Sequence, residues 1–358
     1  MMDRRRFLET LALAAGGLAQ ARGVPRPSTL THWTWMRGPT RPMDAWRRRL
    51  ARLKAAGFDA VLISGSREFF REAVPAAADE GLALHAWFFT MMRGERVRDH
   101  ADWYAVSRSG KSTAFDPPYV DYYRFMCPSR EGVREYLAGL VRDLAQMRGL
   151  GSVHLDYIRY PDVILPIALW PKYGLVQDRE YPDFDFCYCA LCRERFKRQA
   201  GVDPADLADP AAYRAWVQYR YDTVTEVVTR LAGVAHEAGT KVTAAVFPTP
   251  AVARRLVRQD WTRWPIDAVL PMVYHGFYDE PLAWIGRATR EGVVALDGRL
   301  PLYTGLYLPD LPPDDLARAA DLALAAGASG ISVFEASMLT DAHLEALRPI
   351  LTRAGRRR

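Results

Sequence analysis

The stretch SVHLDYIRYPDV, residues 152–163, begins as an apolar strand and ends in charged and aromatic residues followed by proline. Alternate residues of a strand share a face, so His154 and Asp156 point the same way, with Asp156 at the open end. A carboxylate held there partly out of water is costly unless it is paired. Arg159 is the partner within reach, so one reading is a structural Asp–Arg pair and the other a catalytic carboxyl. Similar residues gather where other strand-like runs end: His32, Trp33 and Trp35, then His85, Trp87 and Phe89. Further along come Tyr274 and His275, Tyr303 and Tyr307, and finally Glu335. Aromatic faces stack on the apolar faces of sugar rings, while His, Tyr and carboxyl groups bond hydroxyls. With Tyr157 and Tyr160 the set suits a carbohydrate cleft, although each aromatic taken singly also suits a core.

Glycoside hydrolysis needs two carboxyl groups, one to protonate the leaving oxygen and one to attack or to activate water. Asp156 and Glu335 are the pair that strand ends supply. Glu335, between Phe334 and Met338, is expected to hold a proton and act as acid/base. Asp156, close to Arg159, is expected to have the lower pKa and to be nucleophile or stabiliser. Asp162, Asp310 and Glu68 are the reserve carboxyls. Two other functions fit the same residues: a carbohydrate-binding barrel without turnover, and a metal-dependent hydrolase such as a deacetylase. No HExxH or paired HxH signature supports the latter, and the hydrolase needs no catalytic cofactor.

Four cysteines require a joint reading. Cys187, Cys189 and Cys192 fall in FDFCYCALCRERF, and Cys127 lies at the end of an earlier loop on the same rim. A four-thiolate zinc site would staple the two loops, and Cys189-x-x-Cys192 is a half-site spacing. One or two disulfides, with Cys127 bonded to one of the trio, are the competing reading, and free thiols are the third. Either role is structural, because four thiolates leave no open position for water.

The elements that must position these residues form one alternation. Strand-like runs occupy 30–36, 59–64, 82–90, 152–157, 241–247, 267–274, 301–307 and 330–336. Helix-period stretches lie between them, as at 44–57, 226–239 and 314–327, each closing on glycine, and 341–355 ends the series. Eight such repeats predict a closed α/β barrel, the (β/α)8 or TIM fold, rather than an open sheet. No glycine-rich phosphate loop follows the first strand. Long departures at 91–126 and 158–208, after strands three and four, fall on the rim where barrel enzymes keep their sites.

The formal net charge is +6, and basic residues are scattered rather than striped among aromatics, which argues against a nucleic-acid partner. Residues 1–21 hold Arg4-Arg5-Arg6-Phe7-Leu8, a short apolar run and a small-x-small end at Ala19-Gln20-Ala21. They read as a twin-arginine export signal. The expected mature protein is residues 22–358, one catalytic barrel without a membrane span, periplasmic or extracellular; oligomeric state is unreadable.

The stretch VHLDYIRYPD, with CPSREGVREY at 127–136, resembles the bacterial glycosyl-hydrolase-like barrels related to the family-10-type glycosyl hydrolase domain. Those proteins carry an hLDYhRYP signature at strand four and an NPxxxxVRxY-like stretch before it, in which Cys127 here replaces the usual Asn. The motifs cover about residues 126–163. The resemblance implies a TIM barrel with glycosidase activity, and it transfers Asp156 and Arg159.

Overall fold

The computed structural model describes residues 30–37 and 42–353, and the signal-like segment lies outside them. Eight strands are all parallel: β1 (Trp33–Met36), β2 (Ala60–Ile63), β3 (Ala83–Phe89), β4 (Ser152–Asp156), β5 (Lys241–Val246), β6 (Ala268–Pro271), β7 (Tyr303–Tyr307) and β8 (Gly330–Phe334). Helices α1 (Met43–Ala56), α2 (Arg67–Asp79) and α3 (Glu131–Ala145) follow the first three strands. After β4 come α4 (Ala190–Ala200) and the long α5 (Arg214–Glu237). The remaining strands are followed by α6 (Pro250–Val257), α7 (Trp284–Leu296), α8 (Pro313–Ala325) and α9 (Asp341–Leu351). Local chemistry sets these ends. Gly57 closes α1 in the left-handed region at φ 107°, and the Ser66 and Thr249 hydroxyls cap α2 and α6.

Neighbouring strands pair in the order β6-β5-β4-β3-β2-β1-β8-β7. The ends meet through bridges Val269–Leu302 and Met272–Gly305, so the expected barrel closes. Both faces of the sheet are apolar, as covered parallel strands require. Trp33, Trp35, Ala60, Leu62 and Leu270 fill the interior, with Trp87, Tyr303 and Phe334 against them. Val61, Leu84, Val153, Leu155, Val269 and Val333 face the helices.

Closure depends on close backbone approach at two glycines. A Cβ on Gly305 would sit 2.6 Å from the Pro271 carbonyl oxygen, and one on Gly330 would overlap that of Thr31. In both places the obstacle is backbone, which cannot swing aside. Gly330→Ala is therefore expected to cost about 1–3 kcal/mol or more, as overpacked cores do, read as a lower urea midpoint. An unchanged midpoint would show that the β1–β8 seam is looser than drawn.

Candidate active site

A cavity of about 400 Å³ opens at the C-terminal rim of the barrel. Strand ends supply its floor through Trp35, Trp87, Asp156 and Phe334, and one wall through Tyr274 and Tyr307. The segment after β3 contributes Tyr119, Tyr122 and Tyr123, and the segment after β4 contributes Leu165, Pro166, Leu169 and Tyr173. Phe277 packs edge-on against both Tyr274 and Tyr307, at ring separations of 5.6 and 4.9 Å.

Asp156 is the carboxyl that the strand register aims into this space. Phe89 pairs with Asp156 and Trp87 with His154, which puts the Trp87 indole beside the carboxyl. Trp87 Nε1 donates to Asp156 Oδ2 at 2.8 Å, and the Tyr157 amide donates to Oδ1 at 2.6 Å. Tyr157 reaches that position with φ at 50°, a region uncommon for a residue with a Cβ, so the chain carries local strain next to the carboxyl. Burial pushes the Asp156 pKa above the ordinary carboxylate value, opposed by those two hydrogen bonds and by Arg159. The direction is opposite to the lowering that pairing with Arg159 was expected to give Asp156. The reason is where the Arg159 charge goes.

Arg159 Nη1 donates to Asp162 Oδ2 at 2.8 Å and to the Tyr160 carbonyl at 2.9 Å. Its guanidinium is enclosed by the rings of Tyr123, Phe125, Tyr157 and Phe247, at 5.3–5.9 Å. The cation is thus committed to Asp162, a buried reserve carboxyl that lines the same cavity. The Tyr119 hydroxyl donates to the Asp162 carbonyl at 2.6 Å and accepts from Gln177 Nε2 at 2.9 Å, which joins the two inserts across the rim. Burial, then the Asp156 charge, holds the Tyr274 phenol well above its usual pKa, so it stays a proton donor.

Of the residues singled out in the sequence, Trp35, Trp87, Asp156, Tyr157, Arg159, Tyr274 and Tyr307 line the cavity. Trp33, His85 and His154 are buried and do not line it. Trp33 stacks on His85 at 4.0 Å, and both His85 Nδ1 and the Thr243 hydroxyl bond the Ser152 hydroxyl, at 2.7 and 3.0 Å. His154 Nδ1 bonds the same Thr243 at 2.8 Å. Burial lowers His85 to about 3 and His154 well below its ordinary value, so these imidazoles are neutral packing groups. His32 takes the Ile331 amide on Nδ1 and is lowered to about 4 by burial. Neither His32 nor half-buried His275 lines the cavity, although Phe277 and Tyr278 beside His275 do. Tyr160 is buried and does not line the cavity.

Glu335 does not line the cavity that Asp156 lines. It is buried, its Oε2 accepts from Arg37 Nε at 2.8 Å, and Ser337 bonds Oε1. Phe334 ends β8 and lines the cavity, and Glu335 lies past the end of the strand and outside the lining. Glu335→Gln is expected to change a hydrolytic rate by less than about tenfold, under ~1.4 kcal/mol of barrier. A larger loss in kcat would return Glu335 to the chemistry. Asp310 and Glu68 are exposed and also lie outside the cavity lining.

The four cysteines converge. Cys127, Cys187, Cys189 and Cys192 are buried with their sulfurs all within 4.8 Å of one another. Cys127 Sγ is 3.5 Å from Cys192 Sγ and 3.8 Å from Cys189 Sγ. The Val106 amide donates to Cys187 Sγ at 3.3 Å, and the Ser129 hydroxyl lies 3.2 Å from Cys192 Sγ. None of the four lines the cavity.

No protein-family model and no curated protein matches the sequence. Solved structures do match in fold. The catalytic domain of a β-amylase from Paenibacillus polymyxa is similar at TM-score 0.67 and 12% identity, over 92% of this chain and 100% of that one. The PgaB (BpsB) glycoside hydrolase domain from Bordetella bronchiseptica is similar at TM-score 0.68 and 12% identity, over 90% and 99%. A polyextremophilic β-galactosidase from the Antarctic haloarchaeon Halorubrum lacusprofundi is similar at TM-score 0.62 and 14% identity, over 89% and 57%. At such identities the likeness is one of fold.

Proposed function

We propose that this protein is a glycoside hydrolase acting on a poly- or oligosaccharide, with Asp156 as general acid and Asp162 as the second carboxyl. The observation that carries the reading is the half-buried Asp156 carboxyl, its pKa raised by desolvation, in an aromatic-walled cavity that Asp162 also lines. A pair of carboxyls in contrasting environments is how one site supplies both acid and base. Asp156 hands its proton to the leaving glycosidic oxygen. Asp162, its charge balanced by Arg159, attacks the anomeric carbon or draws the proton from a water that does. The rings of Trp35, Trp87 and Phe334 are placed to stack on sugar faces, and the phenols of Tyr274 and Tyr307 to bond hydroxyls. The glycosidase neighbours and the family-10-type motif support the same reading.

One observation favours the reading of a carbohydrate-binding barrel without turnover: Asp162 Oδ2 is already taken by Arg159. Release of reducing ends from a panel of cell-wall, plant and algal glycans separates the two. Hydrolysis that Asp162→Asn abolishes supports the enzyme. Binding of a glycan with no hydrolysis, unchanged in Asp162→Asn, favours the second reading.

We further propose that the four thiols hold one zinc ion and that residues 1–21 direct export. Thiolates about 2.3 Å from a tetrahedral ion lie about 3.8 Å apart, close to the sulfur separations here. The Val106 amide and the Ser129 hydroxyl would serve as donors to the thiolates. Such an ion supplies cross-linking of the two inserts and no chemistry at the cavity.

A further inference from the structure

A sugar chain longer than the cavity has to leave it at the mouth. At about 400 Å³ the cavity is at the small end for a ligand pocket, with room for a short run of sugar units and none for a polymer. Every residue of its lining is buried or half-buried except Tyr122, which is 62% exposed. A lining residue with most of its surface in water stands where the cavity gives way to solvent. Exposure of an aromatic ring does not by itself mark that point. Phe115, in the same segment after β3, is 74% exposed and lies outside the lining.

Tyr122 is held in place by its neighbours rather than by its own packing. Its carbonyl accepts from the Arg124 amide at 2.8 Å, and the Tyr123 amide donates to the Val120 carbonyl at 3.0 Å, so the backbone on either side is tied. Tyr123 is anchored in turn. Its hydroxyl accepts from Arg159 Nη2 at 3.4 Å, and its ring lies 5.3 Å from Phe125 and 6.3 Å from Tyr157. The Tyr122 ring meets Tyr123 at 5.5 Å and 77°, an edge contact rather than a stack. A ring fixed at its base and left largely open contributes little to folding, because little of its apolar surface leaves water. It makes a good platform instead. Tyrosine has few rotatable bonds, so a flat partner landing on the ring costs little ordering entropy.

We propose that Tyr122 forms an outer sugar subsite, stacking on the first residue beyond the cavity and making the protein select longer chains over short oligosaccharides. The contact repeats, one step further out, the one that Trp35, Trp87 and Phe334 offer inside. The inference rests on the saccharide reading of the cavity and adds chain length to it.

The test uses the full chain and ladders of cello-, xylo-, chito- and agaro-oligosaccharides from the dimer upward, with kcat/KM read from product chromatography and affinity from calorimetry. On a ladder that is cleaved, Tyr122→Ala is expected to lower kcat/KM about tenfold for members that outreach the cavity, the size of one aromatic contact, and to leave the shortest cleaved member unchanged. Tyr122→Phe and Tyr122→Trp keep a flat face and should behave as wild type, and so should Phe115→Ala. Equal losses on short and long members, or no loss on either, would overturn the subsite while the hydrolase reading stands. A ladder that is bound but not cleaved moves the comparison to affinity. There a loss confined to long members supports the subsite and removes the hydrolase, and a loss independent of length overturns the subsite. A protein that neither cleaves nor binds any ladder overturns both.

Discussion

Asp156→Asn is expected to lower turnover by about 10²–10⁴-fold, the usual contribution of a positioned general acid, while saccharide binding persists. Binding survives because the stacking rings of Trp35, Trp87 and Phe334 are untouched and Asn is the same size as Asp. The same residue fixes the pH profile. An acid must hold its proton, so the rate should fall on the alkaline side at the raised Asp156 pKa, and the variant should lack that limb. Stability carries a second signature. In the window from 3.8 up to the raised value, the folded protein holds a proton that the unfolded chain has released. Stability is therefore full below that window and declines as pH rises through it. Asp156→Asn removes this decline, so urea unfolding of the two proteins at several pH values should give curves that differ in slope. Identical slopes would mean that desolvation does not raise the Asp156 pKa, and wild-type turnover in the variant would end its role as acid.

The architecture was legible because parallel strands covered on both faces are nearly continuous apolar runs, and glycines after the helices punctuate them. Each expected run contains an observed strand, with differences of a few residues at the ends. Alternation along β4 aimed Asp156 at the cavity, whereas Glu335 follows the last residue of β8, where strand parity no longer sets direction. Alternation says nothing of depth, which is why His85 and His154 share a face with Trp87 and Asp156 yet end as packing groups among Ser152 and Thr243. The largest omission is the wall built by Tyr119, Tyr122, Tyr123, Leu165, Leu169 and Tyr173. These residues lie in segments without a repeating period, so spacing carries no signal of where their side chains point. Asp162 was visible only as a reserve, because its use depends on Arg159 choosing it over Asp156, a competition decided in three dimensions. The cysteines were legible as a group, while thiolate cluster and disulfide have the same spelling.

Removing zinc is expected to loosen both inserts while the barrel core persists. Purified protein should contain one zinc per chain, and its cobalt-substituted form should show the charge-transfer and visible bands of a tetrahedral thiolate site. Binding energy at such a site is folding energy, about 10–16 kcal/mol in isolated zinc-finger peptides. The proposed ion would order only the stretch around Cys127 and the segment from Cys187 to Cys192, so Cys192→Ser should cost a part of that and spare the strands. Hydrogen exchange should accordingly rise in residues 91–130 and 158–200 and remain slow in β1 to β8. The cavity feels the change through shared elements: the first of these segments carries Tyr119, Tyr122 and Tyr123, and the second carries Leu165 and Tyr173. Weaker saccharide binding should therefore accompany metal loss, restored by zinc and not by reductant. The competing disulfide makes the opposite prediction, since a bonded pair has its sulfurs about 2.05 Å apart and two fewer titratable thiols. Denatured, metal-free protein that reacts with four equivalents of thiol reagent fits the ion. Two equivalents with no bound metal would sink it.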